Sequence, residues 1–334
     1  MRRRVWSYGI ACALAWALGA CSGPAAAPLH RSWRIEQQHL PGAILSLWSS
    51  SPSDLFAAGG PLRTDGGESL VLHYDGVTWE TMTTPGTTLW WIFGFAADDV
   101  WATGERGTIL HYDGASWSQV ETPSHDYTLW GIWGASPDDI WSVGGVAAGG
   151  APSVLRHYDG VSWSDVPGVG RDGELLFKVW GTAADDVWAI GTGGATVHWD
   201  GAAWTRFDSG VSARLLTVRG RASDDIYAVG GLGTPTVIHF DGARWSPVAL
   251  EAFGGLMGVW TAPGQGLAVS GTRGILMTDE GDGWAEPAAP SPTELDLHAV
   301  WGDGTGRLYA SGGDLLSSAA PEGVILSSER PVIR

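Results

Sequence analysis

The chain has 334 residues, with 19 Lys plus Arg against 36 Asp plus Glu and a formal charge of −17. A surface this acidic, without a basic stripe carrying interleaved aromatics, repels phosphate backbones and excludes nucleic acid as an expected partner. The 21 Trp and a length above 300 residues supply ample apolar material for a core, so stability does not require disulfides.

From the N-terminus, Arg2, Arg3 and Arg4 form a basic patch, residues 10–18 are apolar, and Leu18-Gly19-Ala20-Cys21 has the small-residue pattern of a cleavage site ending on cysteine. The stretch reads as a secretory signal, too short for a membrane-spanning helix. It resembles the bacterial lipobox. That resemblance implies cleavage after residue 20, lipidation of Cys21 and export to a bacterial membrane, with Ser22 favouring the outer membrane and the domain facing periplasm or cell surface. An ordinary signal peptide with an incidental cysteine is the alternative. Cys12 would leave with the signal, the mature chain would hold no disulfide, and its formal charge would be −20. Chemistry needing a protein thiolate, including the vicinal cysteines of quinone-dependent dehydrogenase propellers, is then excluded. Residues 22–32, rich in Pro and Ala, read as a short tether, leaving 33–334 as a single, monomeric domain.

Within 33–334 a Trp-Gly module recurs seven times. Its anchors are Trp48, Phe93, Trp133, Trp180, Arg219, Trp260 and Trp301, spaced 39 to 47 residues apart. Eight residues after each stand Phe56, Trp101, Trp141, Trp188, Tyr227, Ala268 and Tyr309. A period of this length, with several short strands per repeat, predicts an all-β, seven-bladed propeller of four-stranded antiparallel blades. In residues 176–205, LFKVWG, VWAIG, ATVHW and AAWT read as four strands, separated by TAADD, TGG and DG turns. Asp75-Gly76, Asp113-Gly114, Asp159-Gly160, Asp200-Gly201 and Asp241-Gly242, each with Trp four residues after the Asp, predict two-residue hairpin turns between third and fourth strands. The last repeat lacks a fourth strand. Trp33-Arg34-Ile35-Glu36 is in phase to supply it by pairing with residues 324–328, closing the ring and removing an exposed edge.

Two repeated polar sets have structural explanations. His73, His111, His157, His198 and His239 precede the Asp-Gly turns in five different blades, so they cannot converge on one metal; each is expected to bond a neighbouring backbone or carboxylate group. Asp98-Asp99, Asp138-Asp139, Asp185-Asp186 and Asp224-Asp225 are expected to cap their own turns between first and second strands. No D-x-D-x-D-G calcium loop, H-E-x-x-H or paired Cys and His spacing occurs, so neither metal nor cofactor is expected. G-x-S-x-G is absent, and Arg63, Arg106, Arg156 and Arg244 fall in unrelated repeat phases, giving no sialidase-like cluster.

Antiparallel strands put the Asp-Asp and Asp-Gly turns on one uniform face. The opposite face carries the variable connections 59–69, 122–128, 144–153, 167–174 and 231–236, where binding residues are expected. Trp90, Trp91 and Trp130 begin the first strands of adjacent blades, with His125, Asp126, Tyr127 and Arg171 in nearby connections; these seven are the candidate ligand-binding residues. Packing between blades is the simpler account of Trp90 and Trp130. Trp91 is the sharper candidate, because its phase holds Ser46, Gly131, Lys178, Thr217, Gly258 and Ala299 elsewhere.

Gly144-Gly145, His157-Tyr158-Asp159 and Trp163 resemble kelch repeats, and Asp279-Glu280-Gly281-Asp282-Gly283-Trp284 is similar to the Asp-box of sialidase-like repeats. Both matches are partial: the Asp-to-Trp spacing is shorter, and Met277 stands where an Asp-box has Ser or Thr. The whole repeat, as in DDVWATGERGTILHYDGASW at 98–117, looks most like the Trp-rich propeller repeats of bacterial lipoproteins, which implies a fold and a location. The expectation is a surface-tethered, non-catalytic binding or scaffolding propeller whose partner is an envelope protein. The alternatives are a lectin-like glycan binder and, less favoured, a sialidase-like glycoside hydrolase.

Overall fold

Short Val-, Ile- and Trp-rich runs between Gly and Asp turns leave no room for long helices, and strands of two to nine residues result. The computed structural model describes residues 30–60, 69–146, 153–314 and 322–328. Among these, seven four-stranded antiparallel sheets form a seven-bladed propeller. The first strands of blades 1 to 7 are Ala43–Ser51, Leu89–Ala96, Thr128–Ser136, Leu176–Ala183, Leu215–Ala222, Leu256–Trp260 and Leu297–Gly302. First strands of neighbouring blades pack on one another, so they line the central axis and the fourth strands form the rim. The basic patch, Cys12, Cys21, Ser22, Arg63 and parts of connections 59–69 and 144–153 lie outside the described residues.

Eight residues separate each anchor from its aromatic because the two face each other across the first hairpin. Trp133 pairs with Trp141, Trp180 with Trp188, and Trp301 with Tyr309. The glycine of the module receives the neighbouring blade. A methyl group on Gly94, Gly181 or Gly302 would stand 2.8, 2.8 or 2.3 Å from the ring of Trp48, Trp133 or Trp260, the anchor of the preceding blade. Gly134 instead receives Phe95 of the preceding blade, 2.6 Å from such a methyl, and two blades lack the glycine. Blade 6 carries Thr261 in this place, after a blade anchored by Arg219. Blade 1 carries Ser49, whose hydroxyl accepts the Trp301 indole N–H at 2.8 Å across the closure. Trp-Gly is thus a knob and a hole on adjacent sheets.

The ring closes as the repeat phase predicts. Trp33–Leu40 pairs antiparallel with Gly323–Ser328, from Trp33 opposite Ser328 to Leu40 opposite Gly323. The strand runs four residues past the predicted Glu36 and absorbs two register irregularities. Before it, Arg31 is buried, donating to Glu280 Oε1 and to the Gly306 carbonyl at 2.7 Å.

Two turn expectations are corrected. The Asp-Gly loops contain four residues, not two: Tyr74 pairs with Trp79, and Asp75 Oδ1 accepts the N–H groups of Val77 and Thr78, both at 2.8 Å. Gly76 takes φ +92°, so glycine is still required there. Fourth strands therefore start at the Trp itself, as in Trp204–Phe207. In the Asp-Asp pairs the second member does not cap its turn but begins the second strand and receives the histidine. His73, His111, His157, His198 and His239 place Nε2 at 2.6 to 2.9 Å from Asp54, Asp99, Asp139, Asp186 and Asp225. Each histidine also stacks on the aromatic eight residues past the anchor, with centroids 4.2 to 4.5 Å apart. The expected carboxylate partner of each histidine is therefore present.

Candidate binding site

Each first strand enters from the variable face and runs down the axis toward the uniform face. The residue three places before each anchor therefore sits in one ring at the axial mouth: Leu45, Trp90, Trp130, Phe177, Leu216, Met257 and His298. All seven line one cavity of about 550 Å³. Six of the seven are apolar, and the side from blades 2 to 4 is aromatic; Trp130 and Phe177 stand 5.1 Å apart between centroids. The Trp90 indole N–H donates to Glu105 Oε1 at 2.8 Å, and Thr128 Oγ1 donates to Glu105 Oε2 at 3.0 Å, which orients this aromatic wall. Arg214 stands at the rim over the Phe177 ring, 5.4 Å from its centroid.

One residue deeper lies Lys178. Its ammonium donates to the Trp130 carbonyl at 2.6 Å and sits 3.9 Å above the centre of the Trp91 ring. Lys178 and Trp91 line both the cavity and a constriction below it, where Arg219 stands in place of an anchor Trp. The Arg219 guanidinium lies 4.8 Å from the centre of the Trp301 ring. Neither cation is paired with a carboxylate among the described residues. Burial, reinforced by the like charge of Arg219, pulls the Lys178 pKa down to about 7. Burial takes Arg219 down to about 10, leaving it cationic at neutral pH. His298 is half-buried in the wall of the cavity. Burial lowers its pKa to about 4 against the opposing pull of Asp296, so its imidazole is neutral.

The structure gathers Trp90, Trp91 and Trp130 of the predicted site at this cavity. Trp91 is only 8% exposed and lies beneath Lys178, whereas Trp90 is half-buried and faces the opening. His125, Asp126, Tyr127 and Arg171 are on the same face but do not line the cavity. His125 Nδ1 bonds the Arg106 carbonyl, Asp126 accepts from Ser124 Oγ, and Tyr127 packs against the buried Arg156. Arg171 is exposed, its amide donating to Glu174. Lys178, Arg219 and His298 escaped the sequence reading. Their signal was present in the repeat phase: a Lys where other blades have mostly small residues, an Arg at an anchor, and a His in an otherwise apolar ring. Among the described residues, no group of three or more His, Cys, Asp or Glu stands together in a way that could hold a metal ion.

No protein-family model matches the chain, and no curated protein matches it. Solved structures do. A structure described as YCF48 bound to D1 peptide is 15% identical, with a TM-score of 0.66 over 90% of this chain and 97% of that one. YCF48 from Cyanidioschyzon merolae is 16% identical, with a TM-score of 0.64 over 89% and 99%. The WD40 repeats of RRP9 reach 0.69 at 10% identity, over 91% and 100%. At such identities the likeness is one of fold, and it agrees with the propeller architecture built above.

Proposed function

We propose that this chain is an exported, lipid-anchored, non-catalytic propeller that holds a protein partner of the cell envelope on its variable face, through the axial cavity. The observation that carries this reading is the ring at the axial mouth. Six apolar side chains, two of them Trp, converge on about 550 Å³ that opens on the face of unequal connections. Apolar concavities with a few placed polar groups are where propellers and other rigid scaffolds bind. A propeller of the same fold is described as bound to a peptide, which supports the choice of a polypeptide over a sugar. The glycan alternative called for an exposed platform at Trp91, and that ring is covered. The anchor rests on the Leu18-Gly19-Ala20-Cys21 resemblance.

Photo-cross-linking in cells tests the assignment. A benzoylphenylalanine at Phe177 should yield discrete protein adducts that disappear in a Trp90→Ala, Trp130→Ala background, while the same probe at Val161, 86% exposed on the uniform face, should not yield them. Adducts of equal yield from both positions, or adducts indifferent to the Trp pair, refute the use of this cavity.

A further inference from the structure

We propose that the axial cavity takes an apolar carboxylate, with its hydrocarbon body against Trp90, Trp130 and Phe177 and its carboxylate received by Lys178, while Arg219 adds positive charge from the constriction below. The proposal rests on the assignment of the cavity as the binding site and names the chemistry that the site selects.

Three features of the channel lead to it. The first is an imbalance of charge: two cations from adjacent blades occupy the axis of a protein whose net charge is −17, and no carboxylate among the described residues pairs with either. Burying a charge without a carboxylate partner is costly, and the Trp130 carbonyl and Trp91 ring that meet Lys178 offset only part of that cost at a position where five other blades carry Ser, Gly, Thr or Ala. The second is depth. Lys178 and Arg219 lie on first strands, respectively one and three residues beyond the mouth ring, so the cationic level sits below the aromatic one by roughly 3 to 10 Å. A ligand entering from the variable face passes the ring of apolar side chains before it reaches Lys178. The third is that the carboxylates lining the cavity are set toward the rim or are already engaged. Glu105 accepts from Trp90 and Thr128. Asp296 Oδ1 accepts the Arg273 amide at 2.9 Å. Asp314 follows the second strand of blade 7 at its variable-face end, its amide donating to the Glu322 carbonyl. Arg214 at the rim adds a further positive group on the approach. An apolar ring above a buried ammonium fits an amphipathic acid.

The same chemistry has two sources, a free small acid or the C-terminal carboxylate of a polypeptide ending in an apolar residue. Binding of 4-phenylbutyrate and of a hexapeptide ending in Leu-Phe, each beside its own amide, separates them by calorimetry with the intact mature chain. An acid should bind at least about tenfold more tightly than its amide, since a charge-assisted contact is lost in the amide. That preference should vanish in Lys178→Met and weaken in Arg219→Met, whose folding is checked by thermal melting. A tighter peptide acid assigns the polypeptide end, and a tighter phenylbutyrate assigns a free acid. Amides that bind as well as their acids overturn the carboxylate assignment while leaving an apolar peptide site intact. Undiminished acid binding in both variants, or no acid binding to the parent protein at millimolar concentration, also overturns it. The acid and amide comparison on the parent protein stands whether or not either variant folds.

Discussion

At the residue scale, the channel cations give the sharpest expectations. Lys178 keeps its proton to an ordinary 10.5 in the unfolded chain but only to about 7 in the fold. Between these values the unfolded state binds more protons, so stability rises with pH across that window, and below it the folded protein carries the full cost of a buried ammonium. Lys178→Met has no such term. Its stability relative to the parent should therefore be highest near pH about 6 and should decline by pH about 9, measured by chemical denaturation at the two values. His298, lowered to about 4, and Arg219, at about 10, titrate outside most of this range and do not mask the effect. A difference between variant and parent that is independent of pH would show that Lys178 is solvated. The tandem acids offer a second comparison at this scale. Burial raises the Asp186 pKa, but hydrogen bonds from His198 and Thr182 outweigh it and hold the carboxyl below its ordinary value. Among the described residues, Asp185, exposed at the turn, receives neither of these bonds. Asp186→Ala should cost about 1 to 3 kcal/mol because it orphans His198, whereas Asp185→Ala should stay within about 0.5 kcal/mol. Equal losses in equilibrium denaturation would show that the pair acts only as a turn.

At the scale of the element, the Trp-Gly module shows which parts of the fold could be read from sequence. The period, the eight-residue hairpin register and the missing fourth strand are local patterns, repeated often enough to stand clear of chance, and all three correspond to observed geometry. The meaning of the glycine was not legible, because its partner is the anchor ring one blade earlier, about 40 residues away in sequence. The four-residue Asp-Gly loop was misjudged for a smaller reason: the dipeptide suits a two-residue turn, but the Asp75 carboxylate satisfies two amides and draws two more residues into the loop. The channel cations were overlooked because a cation in a single repeat looks like ordinary variation until the blades are brought to one axis. The inter-blade contact can be measured. Gly94→Ala places a methyl 2.8 Å from the Trp48 ring and should cost about 1 to 3 kcal/mol by overpacking. Trp48→Phe frees space there, so the double variant should lose less than the sum of the single losses. Additive losses in a double-mutant cycle would remove the knob-and-hole account.

At the scale of the whole molecule, the N-terminal strand closes the ring and also fixes the direction in which the tether leaves. Trp33 lies opposite Ser328, at the end of blade 7 that carries the uniform turns. Arg31 is locked to Glu280 in the third-to-fourth turn of blade 6 and to Gly306 in the first-to-second turn of blade 7, both on that same face. Leu40 enters the opposite side of the disc, where the axial cavity opens. Deletion of 32–37 would expose Gly323–Ser328 as an unpaired edge and release these contacts, so loss of cooperative unfolding is expected, while deletion within 22–29 should leave the melting curve unchanged. With the proposed acyl group on Cys21, the chain from Cys21 to His30 would span at most roughly 30 Å, which would favour the uniform face toward the membrane and the cavity away from it. A soluble or opposing partner could then reach the cavity without contesting the bilayer. Energy transfer to an acceptor lipid tests this arrangement on vesicles carrying the acylated chain. A dye at Val161→Cys on the uniform face should transfer more efficiently than one at Phe253→Cys on the variable face, both positions being highly exposed, because the disc separates them by the length of a strand, about 25 Å. Equal transfer from the two sites would mean that the propeller turns freely on its tether, and that the closing strand secures the ring without aiming it.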